Sequence, residues 1–210
     1  MYNRKQALQG VVALAIGLAA GTALAESIVA NGGFEQGDEG WQFVIPADAE
    51  GKGCKWEVVN DNPHSGAKCA MMESEEPARY ALCTKGLRAE PGERYRLRVW
   101  VRAAAAATAA EKTPGVCARV TYSGAADANM GPLHAHIGLN NKVFLVDKIG
   151  TVASGKLPTE WKQLEAVVEV PAEARGFVFA LFSLRAKGKI YWDDLDVEKM
   201  EKDTPLTATE

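Results

Sequence analysis

The residues best suited to chemistry lie between Arg94 and Arg102, where Arg94, Arg96, Arg98, Trp100 and Arg102 alternate with Tyr95, Leu97, Val99 and Val101. In a strand the two sets point to opposite faces, so a tryptophan stands in one row with several guanidinium groups. An exposed indole flanked by arginines suits a sugar: the ring stacks on the apolar face of a pyranose, and the guanidiniums donate to hydroxyls or carboxylates. The stretch from Val116 to Ser123 alternates in the same way. If it pairs beside the first, Arg119 joins Arg96, Arg98, Trp100 and Arg102 as a ligand contact. Crowded like charges need a negative answer, and either Glu165 and Glu169 across strands or an acidic glycan supplies it.

Other reactive types are sparser. His134 and His136 share a face if the chain is extended there, and with His64 they offer the elements of a zinc site or of hydrogen bonds to a sugar. Cys54, Cys69, Cys83 and Cys117 fall on four separate strand candidates with no C-x-x-C spacing, which argues against zinc and for one or two disulfides in an oxidising compartment. No motif picks out a nucleophile with its base or two opposed carboxylates, so an enzyme is not expected.

The elements that must position these groups are short strands. Arg4 and Lys5 precede an uncharged run that ends in Ala23-Leu24-Ala25, which reads as a cleaved secretory leader over residues 1–25 and predicts an exported protein with no remaining membrane span. Without the leader, 22 Lys and Arg face 27 Asp and Glu, a net charge of −5 that makes nucleic acid a poor partner. From Ser27 onward, turn signals separate apolar runs of period two. Strands are expected at Ser27 to Phe34, Trp56 to Val59, Lys68 to Glu73, Tyr80 to Leu87, Arg94 to Arg102, Val116 to Ser123, Trp161 to Val170, Gly176 to Leu184 and Lys189 to Lys199. The segment from Ala125 to Val152 reads as a long functional loop or an extra hairpin. The result is one all-β domain over residues 26–200, an antiparallel two-sheet sandwich, followed by a frayed tail at 201–210.

Asn31-Gly32-Gly33-Phe34-Glu35 with Gly40-Trp41, then His64-Ser65-Gly66, Pro91-Gly92 leading into Tyr95-x-Leu97-x-x-Trp100-x-x-Ala103, Glu160-Trp161 and Asp193-Asp194-Leu195 occur in an order that resembles the CenC-type carbohydrate-binding modules of families 4, 9 and 22. The resemblance covers nearly the whole chain after the leader. It implies a galactose-binding-like jelly roll that holds a glycan without cleaving it. It also implies a structural calcium near the first and last strands, at positions matching Gly33, Glu35, Lys68 and Asp193. Trp41 and Trp161 match positions that pack structurally, whereas Trp56, Tyr80 and Phe144 can rim a groove. A structural or adhesive envelope protein that meets a protein partner, and a small glycan-acting enzyme, remain as other readings.

Overall fold

The computed structural model describes residues 27–109, 115–124, 134–145 and 157–209; residues 1–25, expected to be a leader, and the rest of the 125–152 segment lie outside them. Eleven strands form in chain order: β1 (Trp41–Val44), β2 (Lys55–Val59), β3 (Cys69–Thr84), β4 (Leu87–Arg88), β5 (Arg94–Ala103), β6 (Thr108–Ala109), β7 (Gly115–Gly124), β8 (His134–Ile137), β9 (Val143–Leu145), β10 (Lys162–Glu169) and β11 (Ala174–Met200). Among the described residues one 3₁₀ turn, η1 (Ala47–Ala49), interrupts them. Every named pairing is antiparallel.

Two strands are long enough to serve both layers of the sandwich. The second half of β11 lies between β3 and β5, with β10 beyond β5 and β2 beyond β3, which makes the first sheet. The first half of β11 lies between β3 and β7, followed by β8 and β9 on one side and β1 on the other, which makes the second. The four runs expected as separate strands around 68–87 and 176–199 are therefore two continuous ones, bent where they cross between layers. The bend has local causes: Pro77 cannot donate to a ladder, the β11–β3 register slips between Leu184 and Gly188, and Arg185 and Gly188 take left-handed φ values of 64° and 90°.

The alternation read from the sequence decides what each sheet buries. Tyr95, Leu97, Val99 and Val101 of β5 and Leu164, Ala166 and Val168 of β10 meet Phe177, Phe179 and Leu181 of β11 and Val116, Ala118 and Val120 of β7 in one core. Tyr95 and Phe177 touch across the layers, edge to face at 5.1 Å. β8 and β9 are the extra hairpin within the 125–152 segment.

Three expectations need correction. Residues 27–40 are a series of bends and turns rather than a first strand; Ile28 N–H donates to Val197 O and Ser27 Oγ accepts from Val197 N–H, enough to dock the segment without a ladder. All four cysteines are free thiols. Cys83 and Cys117 lie on opposite sides of β11, each opposite a different residue of it, so their Cα atoms are roughly 10 Å or more apart, beyond disulfide reach. The tail does not fray at once: Thr207 exchanges two hydrogen bonds with Val167, and Arg94 donates to Thr204 O.

Candidate functional site

The motif residues at the two ends of the chain meet. Leu195 N–H donates to Gly32 O at 3.0 Å, and a bulge in β11 between Asp193 and Asp196, with Asp194 at φ 47°, turns two carboxylates toward the 31–35 turn. Asn31 shapes that turn by donating to Gly37 O and Glu39 O and accepting from Gln36 N–H, while Phe34, fully buried, stacks on Trp41 at 4.7 Å. The 64–68 turn is the third piece. Asp193 Oδ2 accepts from His64 N–H at 2.8 Å and Ser65 N–H at 3.3 Å, and Glu35 Oε1 accepts from Ala67 and Lys68 N–H at 2.8 and 3.0 Å. Asp194 takes His64 Nδ1 at 2.6 Å and Ser65 Oγ at 2.8 Å. Gly33, Glu35, Lys68 and Asp193 thus share one junction.

That junction also accounts for the arginine and tryptophan row. His64 lies flat on Trp100 at 3.8 Å and meets the edge of Trp161 at 5.9 Å, so one face of the Trp100 indole is occupied by the chain itself. Trp161 donates to Asn62 O. Arg102 is buried over the Tyr191 ring at 3.8 Å, with Trp161 at 5.2 Å, and donates to Asp61 O. Arg96 pairs with Glu198, Arg98 with Asp196 and Arg94 with Glu169. Both expected acidic partners contribute, Glu169 by pairing with Arg94 and Glu165 by standing opposite Arg98 and acting on its charge, but the direct ion pairs of Arg96 and Arg98 are made by Glu198 and Asp196 of β11.

Arg119 is elsewhere. β7 pairs with the first half of β11 and with β8, so Arg119 belongs to the second sheet and does not extend the Trp100 row. Its neighbours follow from the register. Across five strands, Cys83, Ala180, Arg119, His136 and Phe144 stand side by side on the face turned away from the core, and Ala81, Phe182 and Cys117 form the next row. This outward face is not ordinary solvent decoration: Ala81, Cys117, Ala180 and Phe182 form their own buried cluster, and His136 is only 3% exposed. The Arg119 guanidinium lies over the Phe182 ring at 4.1 Å.

Two polar atoms on this face are orphaned. His136 Nδ1 and Arg119 Nε are buried with no hydrogen-bond partner. Buried polar groups are nearly always satisfied, because leaving one unpaired costs about 1–3 kcal/mol. Desolvation, then the Arg119 charge and His134, push the His136 ring down to about 3 against an interaction of the ring with the Phe144 main chain, keeping it neutral; the unpartnered atom is Nδ1 alone. Burial also lowers Arg119 and His134 and raises the Cys83 thiol, with Cys117 pushed up to about 12. His134 donates to or accepts from Thr121 Oγ1 at 3.0 Å. The sequence placed His134 and His136 on one face but gave no sign that Arg119 would join them. The zinc alternative does not assemble, since His64 is in the junction on the other sheet; among the described residues no three His, Cys, Asp or Glu side chains are grouped to hold a metal. Of the expected rim residues, Tyr80 is buried in the core and Phe144 is buried on the outward face.

The fold defines the class first: a galactose-binding-like jelly roll of the kind used by carbohydrate-binding modules. No family model matches the sequence, and no curated protein does. Solved structures do. The CBM22-1 xylan-binding domain from Paenibacillus barcinonensis aligns with 80% of this chain and 92% of its own at 15% identity and a TM-score of 0.53. The C-terminal family 22 carbohydrate binding module of Clostridium thermocellum aligns with 84% and 98% at 15% identity and 0.54. TmCBM61, solved with β-1,4-galactotriose, aligns with 84% and 100% at 18% identity and 0.50. At these identities the likeness establishes the architecture.

Proposed function

We propose that the protein is an exported, non-catalytic glycan-binding module whose ligand lies on the outward face of its second sheet. The observation that carries the reading is the pair of unpartnered polar atoms, His136 Nδ1 and Arg119 Nε, side by side on a face that points away from the core; Arg96 Nε and Arg102 Nε on β5 are unpartnered too, but their guanidiniums already pair with Glu198 and Asp61. A chain that gained nothing from those groups would be more stable without them, and sites kept at a cost in stability are sites of function. A sugar offers what the face lacks: hydroxyls for the two nitrogens and an apolar ring side for Phe182 and Phe144. Neighbours of the same fold carry names that refer to xylan and galactotriose, which fits a glycan as the ligand class.

The first sheet has a different part in this reading. Its Trp100, Arg96, Arg98 and Arg102 clamp the 61–64 turn and the second half of β11, and so hold the junction. A calcium ion there would be served by the carboxylates of Glu35 and Asp193 and the main-chain carbonyls of Gly33 and Lys68. The donors are hard oxygens, as calcium prefers. Asp193 is fully buried, and desolvation together with Asp194 pushes its carboxyl up to about 6 against three main-chain hydrogen bonds, so a cation beside it would restore the ionised form. Among the described residues Glu35 accepts its junction hydrogen bonds through Oε1, which leaves Oε2 for a cation.

Native affinity electrophoresis of the full chain through gels carrying a panel of soluble neutral and acidic polysaccharides tests the function. Retardation by at least one is expected; unchanged mobility in all of them would sink the reading.

A further inference from the structure

Resting on that reading, we infer that the glycan is acidic, with uronate carboxylates received by Arg119. The argument comes from how this chain treats its other cations. Arg79 pairs with Asp48, Arg94 with Glu169, Arg96 with Glu198, Arg98 with Asp196, Arg102 with Asp61 and Lys199 with Glu93. Even the more exposed of these have an anion. Arg119 is half-buried like Arg94, Arg96 and Arg98, yet among the described residues no carboxylate pairs with it; burial acts on its charge first, then Cys117, Cys83 and Arg79. A guanidinium taken out of water without an anion is unfavourable.

The contact with Phe182 answers only part of that. A ring at 4.1 Å covers one flat side of the guanidinium, by a cation–π attraction, and the Nε–H in the plane has no hydrogen-bond partner. Guanidinium donors form a fork that matches a carboxylate in two parallel hydrogen bonds, whereas a neutral hydroxyl offers a single acceptor and no charge. The outward rows contribute no competing acid: Cys83, Ala81, Ala180, Phe182, Cys117, Thr121, His134, His136 and Phe144 carry none, and Asp48 is held at the edge by Arg79. His136, directly across from Arg119 on β8 and kept neutral, can bond a hydroxyl of the same sugar without repelling the arginine. The chain beyond its leader is net negative, so discrimination for an anion has to come from this local fork rather than from the field of the whole protein.

The test is calorimetric titration of the full chain with galacturonan, alginate and glucuronoxylan oligosaccharides, each beside its carboxyl-reduced counterpart, which keeps the linkages and removes the charge. At least one acidic form should bind about tenfold or more tighter than its reduced form, the range expected for a charge-assisted bond. Arg119→Gln should abolish that preference while melting no lower than the wild type, because it removes a half-buried charge that no carboxylate among the described residues answers. Equal binding of acidic and reduced forms, or binding of neutral glycans alone, overturns the inference and leaves the glycan-binding reading standing. Binding of no glycan of either kind overturns both. A preference that survives in Arg119→Gln removes Arg119 from the role.

Discussion

Replacing Gly32 with alanine should destabilise the fold by about 3 kcal/mol. A Cβ on residue 32 would lie 1.9 Å from the main-chain oxygen of Leu195 and 2.9 Å from its carbonyl carbon. Neither is the end of a flexible side chain; both belong to the β11 bulge that carries Asp193 and Asp194. Relief requires the 31–35 turn and the bulge to separate by more than 1 Å. That stretches or breaks the Leu195 N–H to Gly32 O bond, a loss of about 1 kcal/mol. It also strains tightly packed neighbours, at about 1–3 kcal/mol. Urea unfolding of the Gly32→Ala chain, read by tryptophan fluorescence, gives the difference directly. Gly86→Ala is the control, since nothing lies within 4 Å of its added Cβ, and it should fall within about 0.5 kcal/mol of wild type. A Gly32→Ala chain as stable as the control would refute the close docking of the two motifs.

Three further outcomes follow from the same contacts. Because the folded pKa of His136 is depressed to about 3, its contribution to stability is full above about pH 6.5 and is lost as pH falls toward 3; Asp193, raised to about 6, has the opposite sign and stabilises more as pH falls through 6. His136→Leu should therefore change the slope of unfolding free energy between pH 6 and 5 by about 1.4 kcal/mol per pH unit toward greater stability in acid, and parallel wild-type and variant profiles would contradict the buried, neutral imidazole. Calcium should raise the melting temperature of the purified chain and chelator reverse it, an effect that Asp193→Asn removes; a temperature unmoved by either speaks against the junction as its site. Reductant should leave the melting temperature unchanged, as expected for four free thiols, whereas a drop would mean that a disulfide forms in the native protein.

The inward halves of β5, β7 and β10 were legible because strict period-two alternation has one physical meaning when one face is buried. The junction was legible only through the motif resemblance, which set Asn31–Glu35 beside Asp193; the left-handed φ at Asn31, Phe34 and Asp194 that shapes it falls on residue types that do not announce it. Pairing between distant strands was not. Nothing local tells that β11 runs 27 residues through both sheets, so its Asp196 and Glu198 could not be matched to Arg98 and Arg96, and Arg119 could not be assigned to the second sheet. His64 reads as a turn residue; its place on Trp100 depends on the fold of the whole sandwich. The cysteines misled for the same reason: compartment argues for pairing, but only the register shows that Cys83 and Cys117 stand on either side of β11.

The placement of the ligand is best tested by calorimetry with whichever glycan binds most tightly, comparing His136→Leu with Trp100→Ala. The outward face of the second sheet predicts an affinity lower by about tenfold or more in His136→Leu, and little change in Trp100→Ala provided that variant remains folded. Binding lost in a folded Trp100→Ala chain and kept in His136→Leu would put the ligand on the first sheet and contradict the account.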